Sequence, residues 1–384
     1  MRIARIPPLG YTPGGLEYFC FLRGGIGADY HQNPWFHVFP DGQILMMWIA
    51  YDFDECSNDG LQLYAVSKDY GTSWSDPQVF LADRLGGVPF YIRFVRLKGT
   101  NETLILQSQF VMDELEVDES RRVATKGSDY LRSRGRIVLR RSADGGRTSD
   151  HGVELPYAEV TGGASLPGVG FYGNVEDLLQ LESGRILAAF VYLDPARSDL
   201  EAKRQHFTVS FLVSDDGGRA WRRTGELVSD TPRGLMEPTI VEVAANRLYC
   251  LLRTKAGRLY ESRSEDGGES WTRALPSSLP SPESMPKMLK LSSGRVLLVW
   301  NNVSSTTQKP RYPLVAATSV DGCRTWGRPK PLADESGTNQ LSNHALVQAG
   351  DGRILAGISH YRDVRPMTSD LDIAVFDEQW LARG

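Results

Sequence analysis

The chain has 384 residues, of which 41% are hydrophobic and 23% are charged, and its formal net charge is −4. This balance gives no general attraction to a polyanion, so we expect no nucleic-acid partner. The sequence contains no apolar run of about eighteen residues, and its start lacks the apolar core of a signal peptide. We therefore expect no membrane partner and a cytoplasmic location, or a secreted one if a leader has been removed.

The four cysteines are scattered and include no C-x-x-C pair. They are Cys20, Cys56, Cys250 and Cys323. This spacing excludes the common zinc patterns and gives no disulfide framework, so we expect unpaired thiols in a reducing compartment. We predict no metal and no cofactor. The 38 glycines and 21 prolines suit a turn-rich β protein.

A hairpin pattern recurs six times along the chain: an apolar strand, a polar turn that usually contains glycine, and a second apolar strand. Alternating apolar residues on both sides of a short turn predict antiparallel strands. The six hairpins are Phe36–Trp48, Tyr91–Leu106, Asp177–Phe190, Thr239–Leu252, Met288–Trp300 and Ala345–Ile358.

A second pattern, Ser-x-Asp-x-Gly-x-x-Trp, follows five of these hairpins, with Ser149 in place of Trp in the second copy and Cys323 in place of Gly in the fifth. The Ser and Asp side chains can bond the backbone of the turn, the Gly supplies a positive φ, and the Trp can fold back beneath the hairpin. Five copies at nearly regular intervals indicate an internal repeat. The copies are Ser67–Trp74, Ser142–Ser149, Ser214–Trp221, Ser264–Trp271 and Ser319–Trp326.

The spacing between these turns matches one propeller blade, with insertions in the two longer intervals. We therefore predict an all-β fold, a six-bladed β-propeller, formed by residues 1–384 as a single domain. The sixth unit has no such turn after its third strand. A segment near the start, Met1–Pro7 or Glu17–Leu22, is expected to supply the missing outer strand and close the last blade.

The repeated turn resembles the Asp-box of the sialidase superfamily, and the resemblance implies a propeller of sialidase type. In a propeller the first strand of each blade lines a central channel, so polar residues near these strands meet at one mouth. Two Arg, several carboxylates and two His there would suit an anionic ligand, because Arg binds a carboxylate through two parallel hydrogen bonds.

The resemblance assigns roles to particular residues. Glu237, with Arg253 at the end of the returning strand, is similar to the sialidase segment that carries the catalytic Glu and one of three carboxylate-binding arginines. Arg311 is similar to another of these arginines. The acidic loop after the first hairpin stands where the sialidase acid/base Asp is expected, which points to Asp54 first and Asp52 second.

Two positions depart from the sialidase pattern. The first inner strand begins with Gln32–Pro34, where sialidases have Arg-Ile-Pro, and Arg93 is a candidate replacement for the absent Arg. Asn343, beside His344, stands where the nucleophilic Tyr is expected. A retaining mechanism needs that Tyr, so we expect weak or no activity on a fluorogenic sialoside.

The function predicted is a glycoside hydrolase that acts on a terminal acidic sugar of a glycan; two enzyme mechanisms and one non-catalytic alternative stay open. An inverting hydrolase would use Glu237 and Asp54. A uronate lyase would use His344 or His360 as its base. A non-catalytic glycan-binding propeller would use the same pocket. Further substrate contacts are expected from these residues: Asp52, His31, Arg93, Asn302 and His360.

Overall fold

The computed structural model describes residues 10–52, 60–80, 87–111, 134–163, 173–199, 204–333, 340–362 and 368–383. These residues form 24 β-strands and two short helices, so the all-β prediction is confirmed. The helices are α1 (Tyr157–Thr161) and α2 (Glu378–Ala382), each of five residues. In this part of the chain, no helix has the length and apolar character needed to cross a membrane.

The strands follow the chain as antiparallel meanders, and all six predicted hairpins are present. Their bounds are β1 (Glu17–Leu22), β2 (Tyr30–Val38), β3 (Ile44–Tyr51), β4 (Leu61–Ser67), β5 (Gln78–Val79), β6 (Gly87–Arg96), β7 (Thr103–Val111), β8 (Arg134–Ser142), β9 (Val153–Leu155), β10 (Gly173–Gln180), β11 (Ile186–Leu193), β12 (Phe207–Ser214), β13 (Arg222–Leu227), β14 (Met236–Ala244), β15 (Arg247–Arg253), β16 (Arg258–Ser264), β17 (Leu275–Pro280), β18 (Lys287–Lys290), β19 (Val296–Asn301), β20 (Leu314–Ser319), β21 (Lys330–Ala333), β22 (Gln340–Gln348), β23 (Ile354–Arg362) and β24 (Thr368–Phe376).

The prediction of six separate blades is wrong. Four meanders form separate four-stranded blades: β6–β9, β10–β13, β14–β17 and β18–β21. The strands expected to form a first and a last blade instead belong to one eight-stranded sheet, in the order β22-β23-β24-β2-β3-β4-β5 with β1 also on β24. A parallel pairing of Tyr30 with Ser369 joins the two halves of this sheet.

The beginning of the described chain lies on the outer edge of β24. Strand β1 pairs with β24 in antiparallel register, with Glu17 opposite Val375 and Phe19 opposite Ile373. This pairing covers an edge that would otherwise expose unpaired backbone groups. Met1–Pro7 lies outside the described residues, and the single-domain extent of 1–384 stays a prediction.

The first strand of each meander contacts the first strand of the next, and these inner strands (β2, β6, β10, β14, β18 and β22) close into a ring. The hydrophobic core lies between neighbouring sheets. Phe211, for example, packs with Leu248 and Cys250 of the following blade. Because the core lies between the sheets, the apolar contacts hold the inner strands in fixed positions around the ring.

The repeated turns carry the predicted hydrogen bonds. In the fourth turn, Ser264 Oγ donates to Asp266 Oδ1 at 2.8 Å and accepts from the Gly268 backbone N–H at 2.9 Å. The same Asp accepts from the Ser270 backbone N–H at 3.0 Å. Trp271 folds back and stacks on Phe211, with ring centroids 4.3 Å apart. These bonds fix the turn, and the four turns that end in Trp also add an aromatic ring to the core.

Replacing Ser264 with Ala tests how much one turn contributes to stability. The change removes the acceptor of the buried Gly268 N–H. We expect the free energy of unfolding to fall by about 1–3 kcal/mol, because an unsatisfied buried donor costs that amount. Denaturant unfolding measures it. The control is Ser149→Ala, which removes an exposed hydroxyl and should change stability by less than about 0.5 kcal/mol. Equal effects of the two changes would contradict the role given to the turn.

Candidate active site

Irregular pairing near the start of the inner strands sets the direction of the side chains at the ring. The register shifts between Gln32 and Trp35 in β2, and comparable shifts occur in β6, β10, β14 and β22. Such β-bulges re-aim side chains and are frequent beside active sites. Three bulges hold a residue other than glycine in the left-handed region, namely Asn33 (φ 52°), Glu237 (φ 44°) and Asn343 (φ 45°).

Glu237 and Arg253 form a close ion pair. Arg253 Nη1 lies 2.8 Å from each carboxylate oxygen of Glu237. The Arg253 Nη2 atom is 3.7 Å from Glu283 Oε1, and Arg233 donates to the same oxygen. The side chains of Glu237, Arg253 and Glu283 are about nine-tenths buried or more. Two carboxylates and two guanidinium groups thus form one network.

Arg311 lies beside this network. Its Nη2 donates to the backbone carbonyl of Glu283 at 3.0 Å, and its Nε donates to the carbonyl of Gln308 at 3.1 Å. Arg311 is 7% exposed. The two carbonyl contacts orient its guanidinium beside the network. Arg253 and Arg311, both predicted to bind a ligand carboxylate, are therefore brought together around Glu283.

A second, deeper layer contains Arg93, Lys287 and Trp35, which come from three different inner strands. The Arg93 guanidinium carbon lies 3.9 Å from the centre of the Trp35 ring, and Lys287 Nζ lies 4.5 Å from it. Lys287 also lies 3.3 Å from Asp177 Oδ1, and Arg93 Nε donates to the backbone carbonyl of Glu176 at 2.7 Å. Both cations are buried.

Charge interactions connect the two layers. Glu176 is 3% exposed. It interacts electrostatically with four charged residues, namely Glu237, Arg93, Lys287 and Arg253. Because these residues come from strands on different sides of the ring, the interactions place the group at the ring's centre. We call this group the axial cluster and define it by these residues: Arg93, Glu176, Asp177, Glu237, Arg253, Glu283, Lys287, Arg311 and His344.

Comparisons with known proteins agree with this architecture. A model of BNR repeat-like domains matches residues 124–356. The chain belongs to the BNR repeat-like domain family. The protein of unknown function from Dyadobacter fermentans superposes with a TM-score of 0.71 at 18% identity, covering 94% of this chain and 99% of that one.

Two sialidase structures are also similar to this BNR repeat-like protein. The Hadza microbial sialidase Hz136 gives a TM-score of 0.69 at 15% identity, covering 94% of this chain and 68% of that one. The Trypanosoma rangeli sialidase gives a TM-score of 0.68 at 14% identity, covering 96% of this chain and 60% of that one. No curated protein matches the chain. At these identities the likeness shows that the fold is sialidase-like.

His344 of the BNR repeat-like protein is buried within the axial cluster. Its Nε2 lies 2.9 Å from the carbonyl of Val299, and its Nδ1 has no hydrogen-bond partner among the described residues. Burial, with smaller effects of Lys287 and Arg311, lowers the pKa of His344 to about 4. The ring is therefore neutral at physiological pH, and Nε2–H donates to the carbonyl.

Other predicted site residues lie apart from the axial cluster. His31 is buried, with Nε2 3.3 Å from the Ile26 carbonyl, and its Nδ1 accepts from Trp48 Nε1 at 3.2 Å. The Asp52 Oδ1 accepts from the Asp29 N–H at 3.3 Å on the exposed surface. Because both ring nitrogens of His31 are occupied, its contacts are those of a structural histidine.

The remaining predicted residues are Asn302, His360 and Asp54. Asn302 follows β19 and is half-buried, and its backbone N–H donates to the Pro313 carbonyl at 3.2 Å. His360 is buried, with Nδ1 2.7 Å from Asp372 Oδ2. Asp54 lies outside the described residues. Of the ten residues named from the sequence, Glu237, Arg253, Arg311, Arg93 and His344 belong to the axial cluster.

Sequence reasoning did not select Glu176, Glu283 or Lys287 as site residues. Glu176 directly precedes the predicted hairpin Asp177–Phe190. Lys287 and Glu283 lie near a Pro-rich turn, and nothing in their sequence pattern distinguishes them from surface charges. Their burial, at 6% exposure for Lys287 and 1% for Glu283, is what marks them.

A group with metal-ligating side chains lies away from the axial cluster. Cys20, Asp370 and Asp372 each offer one ligand atom, and these atoms lie within 4.8 Å of one another. Asp370 accepts from Arg362 Nε at 2.6 Å, and Asp372 accepts from Tyr18 at 2.7 Å. These hydrogen bonds hold the two carboxylates within an internal polar network, in which Asp372 Oδ1 has no hydrogen-bond partner among the described residues.

The low pKa of His344 predicts a change of stability with pH. A folded-state pKa below the unfolded value of about 6.5 contributes stability that is present above about pH 6.5 and lost as the pH falls toward 4. We expect wild type to lose on the order of 3 kcal/mol more than His344→Gln over that interval. Chemical denaturation at several pH values measures the difference.

The exposed substitution Val320→Ala should leave the pH profile of wild type unchanged. The other histidines are present in wild type and in His344→Gln, so the difference between these two proteins isolates His344. A difference that stays constant from about pH 7 to about pH 4 would contradict the neutral, buried ring.

Proposed function

We propose that the protein hydrolyses the glycosidic bond of a terminal acidic sugar bound at the axial cluster. The observation that carries the proposal is the convergence of Arg253 and Arg311 on Glu283, next to the Glu237 carboxylate. Guanidinium groups held in place by the protein are suited to a ligand carboxylate. The sialidase-like fold supports this class of substrate by analogy.

Hydrolysis adds one water molecule across the glycosidic bond. One carboxylic acid gives its proton to the leaving oxygen, and one carboxylate takes a proton from the attacking water. In the proposed mechanism Glu237 is the base and Asp54 is the acid. The ion pair with Arg253 fixes the orientation of Glu237, and its left-handed backbone, which costs about 1–2 kcal/mol for such a residue, places it in the ring.

The geometry disfavours a lyase. A lyase base must accept a proton from the substrate, and burial lowers the pKa of His344 to about 4, which makes it a weak base at neutral pH. His360 is buried and its Nδ1 bonds with Asp372, away from the axial cluster. We therefore prefer hydrolysis to elimination.

A non-catalytic glycan-binding propeller is the second candidate, and one contact favours it. Arg253 Nη1 engages both oxygens of Glu237 at 2.8 Å, so both oxygens of that carboxylate already have a partner within the protein. A binding protein needs the Arg residues and the ion pair but no proton transfer. Substitutions at Glu237 and Arg311 separate the two functions.

The test is turnover of a panel of fluorogenic glycosides with different terminal acidic sugars. We expect Glu237→Gln to lower kcat by about 10²–10⁴-fold, because it removes the general base. We expect Arg311→Met to lower kcat/KM by about 10–100-fold through the loss of a charged contact with the carboxylate. The control is Arg324→Met in the fifth turn, an exposed Arg that should leave turnover unchanged.

Calorimetric titration with the corresponding free acids accompanies the assay. Binding without turnover of any glycoside would establish the glycan-binding function and reject hydrolysis. Binding that persists unchanged in Arg311→Met would reject the proposed carboxylate site. An unsaturated product that absorbs in the ultraviolet would show that the reaction is an elimination.

A further inference from the structure

Glu176 occupies a special place in the inner strand β10. Val175 pairs with Phe190 and Asp177 pairs with Ala189, so Glu176 is the extra residue of the bulge. The backbone on either side is fixed by the ladder. A bulge residue of this kind has its side chain re-aimed relative to a regular strand. The fold thus directs the Glu176 carboxyl group by backbone geometry.

The carboxyl group of Glu176 is buried and only partly satisfied. Its side chain is 2% exposed, and its Oε2 is 3.8 Å from Arg93 Nη2, a loose contact. Its Oε1 is buried and has no hydrogen-bond partner among the described residues. Buried polar atoms are nearly always hydrogen-bonded, so a buried polar atom without a hydrogen-bond partner at the centre of the ring indicates a ligand or water position.

Asn33 gives a second, independent indication of the same kind. Its side chain is nine-tenths buried, and neither its Nδ2 nor its Oδ1 has a hydrogen-bond partner within the described ranges. Asn33 lies in the bulge of β2, two residues before Trp35, whose ring contacts Arg93 and Lys287. Buried polar atoms with no hydrogen-bond partner among the described residues therefore occur in the bulges of two inner strands.

The charges that act on Glu176 come from four other strands. Arg93 lies on β6, Glu237 on β14, Arg253 on β15 and Lys287 on β18. Burial is the largest influence on Glu176 and the Glu237 carboxylate is the next, and both outweigh the three cations. Together they raise the pKa of Glu176 to about 8.

We propose that Glu176 acts as a neutral carboxylic acid in the axial site and donates a hydrogen bond from Oε1 to a bound carboxylate. This inference rests on the proposed function, because it assumes that the ligand is an acidic sugar. A neutral acid adds a donor to the site, whereas an ionised one would repel the ligand and weaken the effect of the nearby cations.

The proposal explains why a fourth carboxyl group can lie near Glu237 in a site for anions. When Glu176 carries its proton, the cations of the cluster face only the carboxylates of Asp177, Glu237 and Glu283. When Glu176 ionises, it adds one negative charge, and the net charge of the cluster falls by one unit. Anion binding should therefore require the protonated form and weaken as the pH rises above about 8.

The first test is independent of any ligand. In the infrared spectrum of wild type minus Glu176→Gln, we expect the carbonyl stretch of a protonated carboxylic acid at about pH 6 and its loss by about pH 10. The matched control, Glu154→Gln on the exposed edge strand β9, should give no such band at about pH 6. Absence of the band from the Glu176 difference spectrum at that pH would overturn the proposal.

The second test is calorimetric binding of N-acetylneuraminate and of D-glucuronate as a function of pH. For wild type we expect constant affinity below about pH 7 and a loss of about tenfold per pH unit above about pH 8. The Glu176→Gln variant has a neutral donor at every pH, so it should keep the neutral-pH affinity and lose this dependence. The Glu176→Ala variant has no donor and should bind about tenfold more weakly at pH 7.

The outcomes separate the two proposals. An infrared band together with the same pH dependence in wild type and Glu176→Gln would reject Glu176 as the ligand donor and leave the acid-sugar site standing. An infrared band with no binding of either acid at any pH would reject the proposed substrate class and the donor role together. Both the infrared and the calorimetric experiments use the full chain.

Discussion

The bulges of the inner strands are the constraint on which the rest of the site depends. A regular strand places alternate side chains on its two faces, toward the neighbouring sheets, where the apolar core of this protein lies. At the bulges the alternation breaks, and polar residues such as Glu176 and Glu237 leave the packing faces. The core can therefore remain apolar while charged groups gather at the centre of the ring. Loss of a bulge would return these carboxyl groups to an apolar interface, at a large cost in free energy.

The repeated turns support this arrangement from the opposite ends of the hairpins. Each inner strand leads into a hairpin, and the Ser and Asp bonds fix the next connection between strands, as at Ser264 and Asp266. These bonds are local, within a few residues, so the sequence alone predicts them, and it predicts the six hairpins for the same reason. The sequence does not predict the eight-stranded sheet. Its two halves are joined by the pairing of Tyr30 with Ser369, a contact between distant residues that leaves no trace in local patterns.

The candidate site likewise contains some residues that the sequence predicts and others that it does not. Glu237, Arg253 and Arg311 could be selected from the sequence because each lies in a short stretch that resembles a known one. Lys287 and Glu176 could not, since their identity as site residues depends on burial and on neighbours from other strands. Asn343 is an intermediate case: the sequence marks it as a departure, and the structure gives it a left-handed backbone like that of Glu237. Two inner strands of this chain thus hold different side chains in the same backbone conformation, and the side chain sets the chemistry at each position.

Burying this many charges needs an explanation beyond stability. A buried ion pair contributes little to stability, and apolar residues of similar size would often stabilise a protein more. Arg93 and Lys287 are both buried against the Trp35 ring, and burial lowers the pKa of each, which shows that the environment resists their charge. Their nearest carboxyl groups, Glu176 and Asp177, are neighbours on one strand, so a single bulge sets the position of both counter-charges. Such an arrangement holds its dipoles and charges in place before a ligand arrives, and preorganisation of that kind is what lets a site bind or stabilise an anion without reorganising.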